Sequence, residues 1–165
     1  MEYTENIAEK DYALPEAAFR KYADTVYRLA FVRTGSRNDS DDILQEVFLR
    51  YMKVWQNMQS EEHVKATLIR ITVNCSNSLL TSAWFKKTDP LDENISASYA
   101  NSAESALSEV LKLPVKYRTV IHLYYYMGYS VAEIAELTKT NPSTVKTRLS
   151  RARGQLKKTL EAEDL

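Results

Sequence analysis

The stretch SVAEIAELTKTNPSTVKTRLSRARGQLKK, residues 130–158, decides the fold. It reads as two helices separated by a tight break. Ser130 can cap the first, with Glu133 at the third helical position completing a capping box, and Val131, Ile134, Ala135 and Leu137 form its apolar stripe. Thr138 to Thr140 is the break. Asn141 and Pro142 open the second helix, because Asn accepts from unpaired first-turn amides and Pro fits the first helical position, where no amide bond is needed.

In that second helix Val145, Leu149, Ala152, Leu156 and Leu160 recur at threes and fours and are expected on one buried face. Its other sides carry Lys146, Arg148, Arg151, Arg153, Lys157 and Lys158, interleaved with Ser143, Thr144, Thr147 and Ser150, and no Asp or Glu occurs between Pro142 and Leu160. Hydroxyls and Lys can reach base edges while Arg and Lys neutralise phosphates, so this helix suits a DNA major groove. A basic run alone would describe any solvated helix. Joined to a capped preceding helix, a three-residue break and a capped second start, it reads as a helix-turn-helix with its recognition helix from Pro142 onward.

The remaining composition narrows the function. The chain has 165 residues, 44% of them hydrophobic, and 22 basic against 22 acidic residues, so a positive field at the helix-turn-helix must be offset by acidic surface elsewhere. Affinity of the isolated chain for nucleic acid is therefore expected to be weak. Gly35, Gly128 and Gly154 are the only glycines, too few for a phosphate-cradling loop. Cys75, His63 and His122 supply neither a disulfide framework nor a zinc spacing, so no cofactor, metal or catalytic group is expected. The acidic N-terminus has no apolar signal core, and no run approaches the ~18 apolar residues that span a bilayer. A soluble, cytoplasmic protein without membrane insertion is expected.

Along the chain, Met1 to Ala13 reads as a loose arm. Pro15 to Thr34 is helical, with Phe19, Tyr22, Val26, Leu29, Ala30 and Val32 or Arg33 at core spacing and Gly35 as its stop. A second helix is expected from Asp41 to about Asn57, capped by Asp39 or Ser40. Its apolar stripe is Leu44, Val47, Phe48, Tyr51 and Trp55, while Asp42, Gln45, Glu46, Leu49 and Lys53 share another side. The acidic residues there read as capping and a solvated face, or as a metal-binding carboxylate cluster, for which no second element supplies further ligands.

A third helix, Val64 to Phe85, has the core stripe Val64, Leu68, Ile71, Cys75, Leu79 and Ser82 or Ala83, with Cys75 expected to be buried and structural. Trp84 and Phe85 beside Lys86 and Lys87 could stack on unpaired bases or belong to the core. Thr88 to Ser105 holds Asp89, Asp92, Glu93 and Glu104 and no cation, which marks an acidic, flexible linker. Two more helices, Ala106 to Leu113 and Pro114 to Met127, precede the helix-turn-helix and supply its support. The residues thus predict an all-α chain of two small helical domains.

Three segments together carry a family resemblance: DSDDILQEVFLR (39–50), VKATLIRITVNCSNSLLTSAWFKK (64–87), and LPVKYRTVIHLYYYMGYSVAEIAEL with NPSTVKTRLSRARGQLKKTL (113–137 and 141–160). Over nearly its whole length the chain resembles the extracytoplasmic-function class of bacterial RNA polymerase sigma factors. The resemblance implies a region 2 domain over 1–87, a linker over 88–105 and a region 4 domain over 106–165. It implies that Asp42, Gln45, Glu46, Leu49 and Met52 meet the clamp helices of the largest subunit of core RNA polymerase, with the flap of the second subunit as a further contact. It assigns the −10 element to the loop Asn57 to Glu62 and to Arg70, Asn74, Ser78, Thr81 and Lys86. It assigns the −35 element to Lys146, Thr147 and Ser150 as base readers, with Ser143, Thr144, Arg148, Arg151 and Arg153 on phosphates. An anti-sigma protein covering the same surfaces is implied as well.

Some positions depart from the family pattern. Thr67 stands where Trp is usual, Ser76 to Ser78 and Thr81 replace commonly charged residues, and Lys139 stands in the turn where glycine is usual. If that position needs a left-handed backbone, Lys139 costs about 1 kcal/mol. Two other functions remain open to the same residues: a stand-alone, dimeric helix-turn-helix regulator, and a metal-dependent nuclease using the acidic cluster.

Overall fold

The computed structural model describes residues 10–85 and 102–163, without the side chains of 83–85, 102–105 and 163. Seven α-helices account for most of these residues: α1 Pro15–Thr34, α2 Arg37–Tyr51, α3 Glu61–Phe85, α4 Ser102–Leu111, α5 Val115–Ile121, α6 Val131–Leu137 and α7 Pro142–Glu163. No strand occurs among the described residues, as an all-α reading requires. They fall into two compact units, one from 10–31 and 37–85, the other from 32–36 and 102–163.

The first unit is built on α2 packed against α3. Tyr22, Val26, Ile43, Val47, Phe48, Tyr51, Val64, Leu68 and Cys75 form one apolar cluster, with Ile71 and Leu79 packed on its edge. Burial raises the Cys75 thiol above its ordinary value, in keeping with an inert core residue. Residues 10–13 are not loose. They form a 3₁₀ turn, Asp11–Ala13, whose Ala13 is fully buried, and the Tyr51 hydroxyl donates to Ala13 O at 2.6 Å. Burial pushes that phenol up to about 12, with Tyr12 and Tyr22 adding to the shift. No apolar periodicity foretells a single turn pinned by one distant hydroxyl.

Three further expectations are corrected here. α2 begins at Arg37, so Asp39 and Ser40 lie inside it rather than capping it, and Ser40 is fully buried. The helix ends at Tyr51, and a separate 3₁₀ turn, Trp55–Asn57, follows. Phe19 is 47% exposed, with its ring edge-on to Phe48 at 4.9 Å, because it lies at the rim of the cluster. Gly35 does stop α1, at φ +66°.

In the second unit α7 packs against α5 and α6. Leu113, Tyr117, Val120, Leu123, Ile134, Leu137, Val145, Leu149 and Ala152 are buried. Arg118 Nη1 donates to Leu111 O at 3.0 Å, tying the end of α4 to α5, and burial lowers the guanidinium below its ordinary value. α4 starts at Ser102, so the last residues of the expected linker are helical; the rest of that linker lies outside the described residues. α5 runs into a π-helical turn, His122–Tyr126, closed by Met127 N–H donating to His122 O, and Gly128 at φ +75° ends it. The expected burial of Leu160 is corrected: α7 outruns its supports, leaving Leu160 53% exposed.

Candidate nucleic-acid interface

Local chemistry fixes the helix-turn-helix at each of its joints. Ser130 Oγ accepts from Glu133 N–H at 3.1 Å while the Glu133 carboxylate accepts from Ser130 N–H at 2.8 Å, a complete capping box. The break is a Schellman turn: Lys139 N–H donates to Glu136 O, Thr140 N–H to Ala135 O, and Lys139 sits at φ +52°. The left-handed position is therefore real, and a side chain occupies it at a cost. The Thr138 hydroxyl donates to Ile134 O at 2.6 Å, and Thr138 and Thr140 Oγ1 lie 3.0 Å apart. Asn141 Oδ1 then accepts from Thr144 N–H at 2.7 Å, which caps α7 with Pro142 in its first position.

Val145, Leu149 and Ala152 bury one side of α7. Ser143, Lys146, Thr147, Ser150 and Arg151 are exposed, and Thr144 and Arg148 are half-buried at the flank. Ser143, Thr147, Ser150 and Arg151 stand at i, i+4, i+7 and i+8, one outward face opposite the core. The Thr147 hydroxyl gives its proton to Ser143 O at 3.0 Å, so its oxygen remains an acceptor. Arg153 is brought elsewhere. Its Cζ lies 5.5 and 5.7 Å from the Tyr125 and Tyr124 ring centroids, and its Nε donates to the Tyr125 hydroxyl. The Tyr124–Tyr126 run carries the aromatic half of this contact, but which cation would meet it depends on the π-helical turn.

The expected −10 residues lie on α3 and the loop before it. Arg70, Ser78 and Thr81 are exposed and Asn74 is half-buried, at i, i+4, i+8 and i+11 along one stripe. Ser78 and Thr81 donate to Asn74 O and Asn77 O, while Thr72 and Ser76 turn inward and bond the carbonyls of Leu68 and Thr72. Thr67 is buried, and its hydroxyl has no hydrogen-bond partner among the described residues. Asn57 is exposed at the end of its 3₁₀ turn. Lys86 lies outside the described residues, as do the side chains of Trp84 and Phe85.

On α2, Asp42, Gln45 and Glu46 are exposed, and Glu46 pairs with Arg50 at 2.8 Å. Leu49 is 58% and Met52 57% exposed beside them. Two large apolar side chains set among carboxylates and amides suit a protein partner better than water alone. Among the described residues no three His, Cys, Asp or Glu side chains are grouped to hold a metal ion, so the nuclease reading has no ligand set there.

Comparison with known proteins gives a family match for each of the two units. Residues 18–85 match the model for sigma-70 region 2, and residues 104–156 match the model for sigma-70 region 4. The chain is 32% identical over 145 residues to RNA polymerase sigma factor SigV of Bacillus subtilis, covering 84% of this chain and 86% of that protein. It is 29% identical over 159 residues to ECF RNA polymerase sigma factor SigM of Mycobacterium tuberculosis, covering 94% and 81% respectively. The fold is similar to that of the sigma factor RpoE crystallised with the anti-sigma factor NepR from Bartonella quintana, with a TM-score of 0.73 at 17% identity over 92% of this chain and 98% of that one. The chain belongs to the sigma-70 family of RNA polymerase sigma factors, in its extracytoplasmic-function class. It is, accordingly, a factor of transcription initiation.

Proposed function

We propose that this chain is a dissociable specificity subunit rather than a catalyst, acting in the cytoplasm on core RNA polymerase and promoter DNA. One observation carries the reading: the chain that presents a capped, basic recognition helix also leaves Leu49 and Met52 more than half exposed beside Asp42, Gln45 and Glu46 on a separate unit. The α2 surface docks on the clamp helices of the largest subunit, the second unit reaches the flap, α7 reads the −35 element, and α3 with its preceding loop reads the −10 element. No described helix is long and apolar enough to cross a membrane.

The formal net charge of zero supports this division of labour. Neither DNA face need bind tightly alone, because core polymerase holds both and supplies the effective concentration. An anti-sigma protein would hold the factor inactive by occupying the same exposed faces.

Co-purification with core polymerase, followed by transcription from a library of promoter fragments, tests the proposal. Core binding with initiation at promoters sharing two spaced elements is the expected result. Asp42→Ala with Glu46→Ala is expected to abolish core binding and leave binding of isolated DNA intact. A chain that ignores core but shifts duplex DNA by itself would instead be a free-standing regulator.

A further inference from the structure

From the 3₁₀ turn Trp55–Asn57 to the start of α3 the chain exposes three amide side chains within four residues, 56–59. Gln56, Asn57 and Gln59 face solvent, while Met58 is only 3% exposed and anchors the segment from below. Asn and Gln each carry a donor and an acceptor, which is what the edge of an unpaired base offers in return. Such groups discriminate only if their backbone is held still.

Two ties do this. Lys10 Nζ donates to Gln56 O at 2.9 Å on one side. On the other, Ser60 Oγ accepts His63 N–H at 3.1 Å, and His63 Nδ1 accepts Gln59 N–H at 3.2 Å. The second pair is a variant of the capping box, with histidine in the position usually held by Glu or Gln. The helix cap itself is Ser60's work. The bond from Gln59 to His63 adds nothing to helix closure, because Gln59 precedes the cap; it fixes the backbone that aims the amides.

We propose that His63 is a positioning residue for promoter reading: its ring nitrogen holds Gln59, and through it the Gln56–Gln59 loop, in the conformation that selects bases of the −10 element. This rests on the specificity-subunit reading. His63 itself touches no DNA in this scheme.

The test uses the full chain with core polymerase and a set of promoters differing by single bases in the −10 element, read at a temperature below the melting transition of every variant. His63→Ala is expected to shrink the preference for the best base about five- to tenfold, the loss of one base readout, with core binding unchanged. His63→Gln, which keeps an acceptor at the same helical position, is expected to retain the preference. Tyr51→Phe loses the buried bond to Ala13 O in the same unit, away from the loop, so it is expected to lower the melting temperature without altering base preference. The proposal is overturned if His63→Ala keeps the wild-type preference, or if Tyr51→Phe erodes it as much as His63→Ala does. If the unmodified chain with core selects no promoter at all, the underlying functional reading fails and takes this proposal with it.

Discussion

The two long helices proposed above to face promoter DNA, α3 and α7, carry different chemistry. α7 presents Lys146 and Arg151 among the hydroxyls of Ser143, Thr147 and Ser150, with no acid before Glu161. α3 presents Arg70 as the sole cation of its stripe, followed by Asn74, Ser78 and Thr81. Cations gain affinity from phosphates whatever the sequence, and that gain fades with salt. Amides and hydroxyls carry donors and acceptors for base edges but attract little from a distance. Under the proposed function the contrast suits α7 to holding duplex and α3 to sorting bases delivered to it.

The comparison breaks first at the cores. Leu149→Ala in α7 and Leu68→Ala in α3 each remove a side chain at most 2% exposed, and each is expected to cost about 2–5 kcal/mol. Calorimetry and probe-specific DNA binding should show the first abolishing duplex binding and the second sparing it.

Salt sharpens the contrast next. Arg151→Ala is expected to reduce the slope of log affinity against log salt for duplex DNA by about 0.9, one phosphate contact. Arg153→Ala should leave that slope unchanged, because Arg153 is engaged with Tyr124 and Tyr125. An equal drop for both would mean that Arg153 leaves the tyrosines when DNA binds.

Within α3, Thr67→Val removes a buried, unpartnered hydroxyl at nearly constant volume and is expected to stabilise the protein by about 1–2 kcal/mol in denaturant melts. Tyr51→Phe loses the bond to Ala13 O and is expected to cost about 1 kcal/mol. Because the folded phenol is raised to about 12, Tyr51 favours folding below the ordinary value near 10 and loses that contribution as pH climbs toward 12. Melts of the Phe variant between pH 9 and 12 should therefore show a shallower alkaline decline. The smallest effect belongs to the turn before α7: Lys139→Gly relieves a left-handed side chain at φ +52° and should add about 0.5–1 kcal/mol.

The second unit was the more legible of the two in the sequence. Ser130 with Glu133, Asn141 with Pro142, and the spacing of Val145, Leu149 and Ala152 are short-range signals, and each has a matching bond or buried side chain. The first unit hid more because its distinctive features are long-range. Tyr51 reaching Ala13, Lys10 reaching Gln56 and Phe19 resting at the rim against Phe48 depend on how helices meet, which a 3.6-residue period does not encode. The start of α2 is hidden for a related reason: Asp39 and Ser40 are good caps in isolation, but the core claims Ser40. At the candidate site the exposed stripes of α2, α3 and α7 could be listed from spacing, whereas the commitment of Arg153 to two tyrosines could not.

The Schellman turn between α6 and α7 has a consequence for evolution. Its closing bonds join main-chain atoms of Ala135, Glu136, Lys139 and Thr140, and the start of α7 is capped by Asn141. Among the described residues the outward Ser143, Thr147 and Ser150 make no side-chain bond that shapes the hinge; Thr147 bonds its own helix, at Ser143 O. Architecture and the proposed recognition are thus written in separate letters of one segment, so under that reading gene duplication followed by drift at the outward positions can retarget the helix to new promoters while the scaffold that aims it is inherited unchanged.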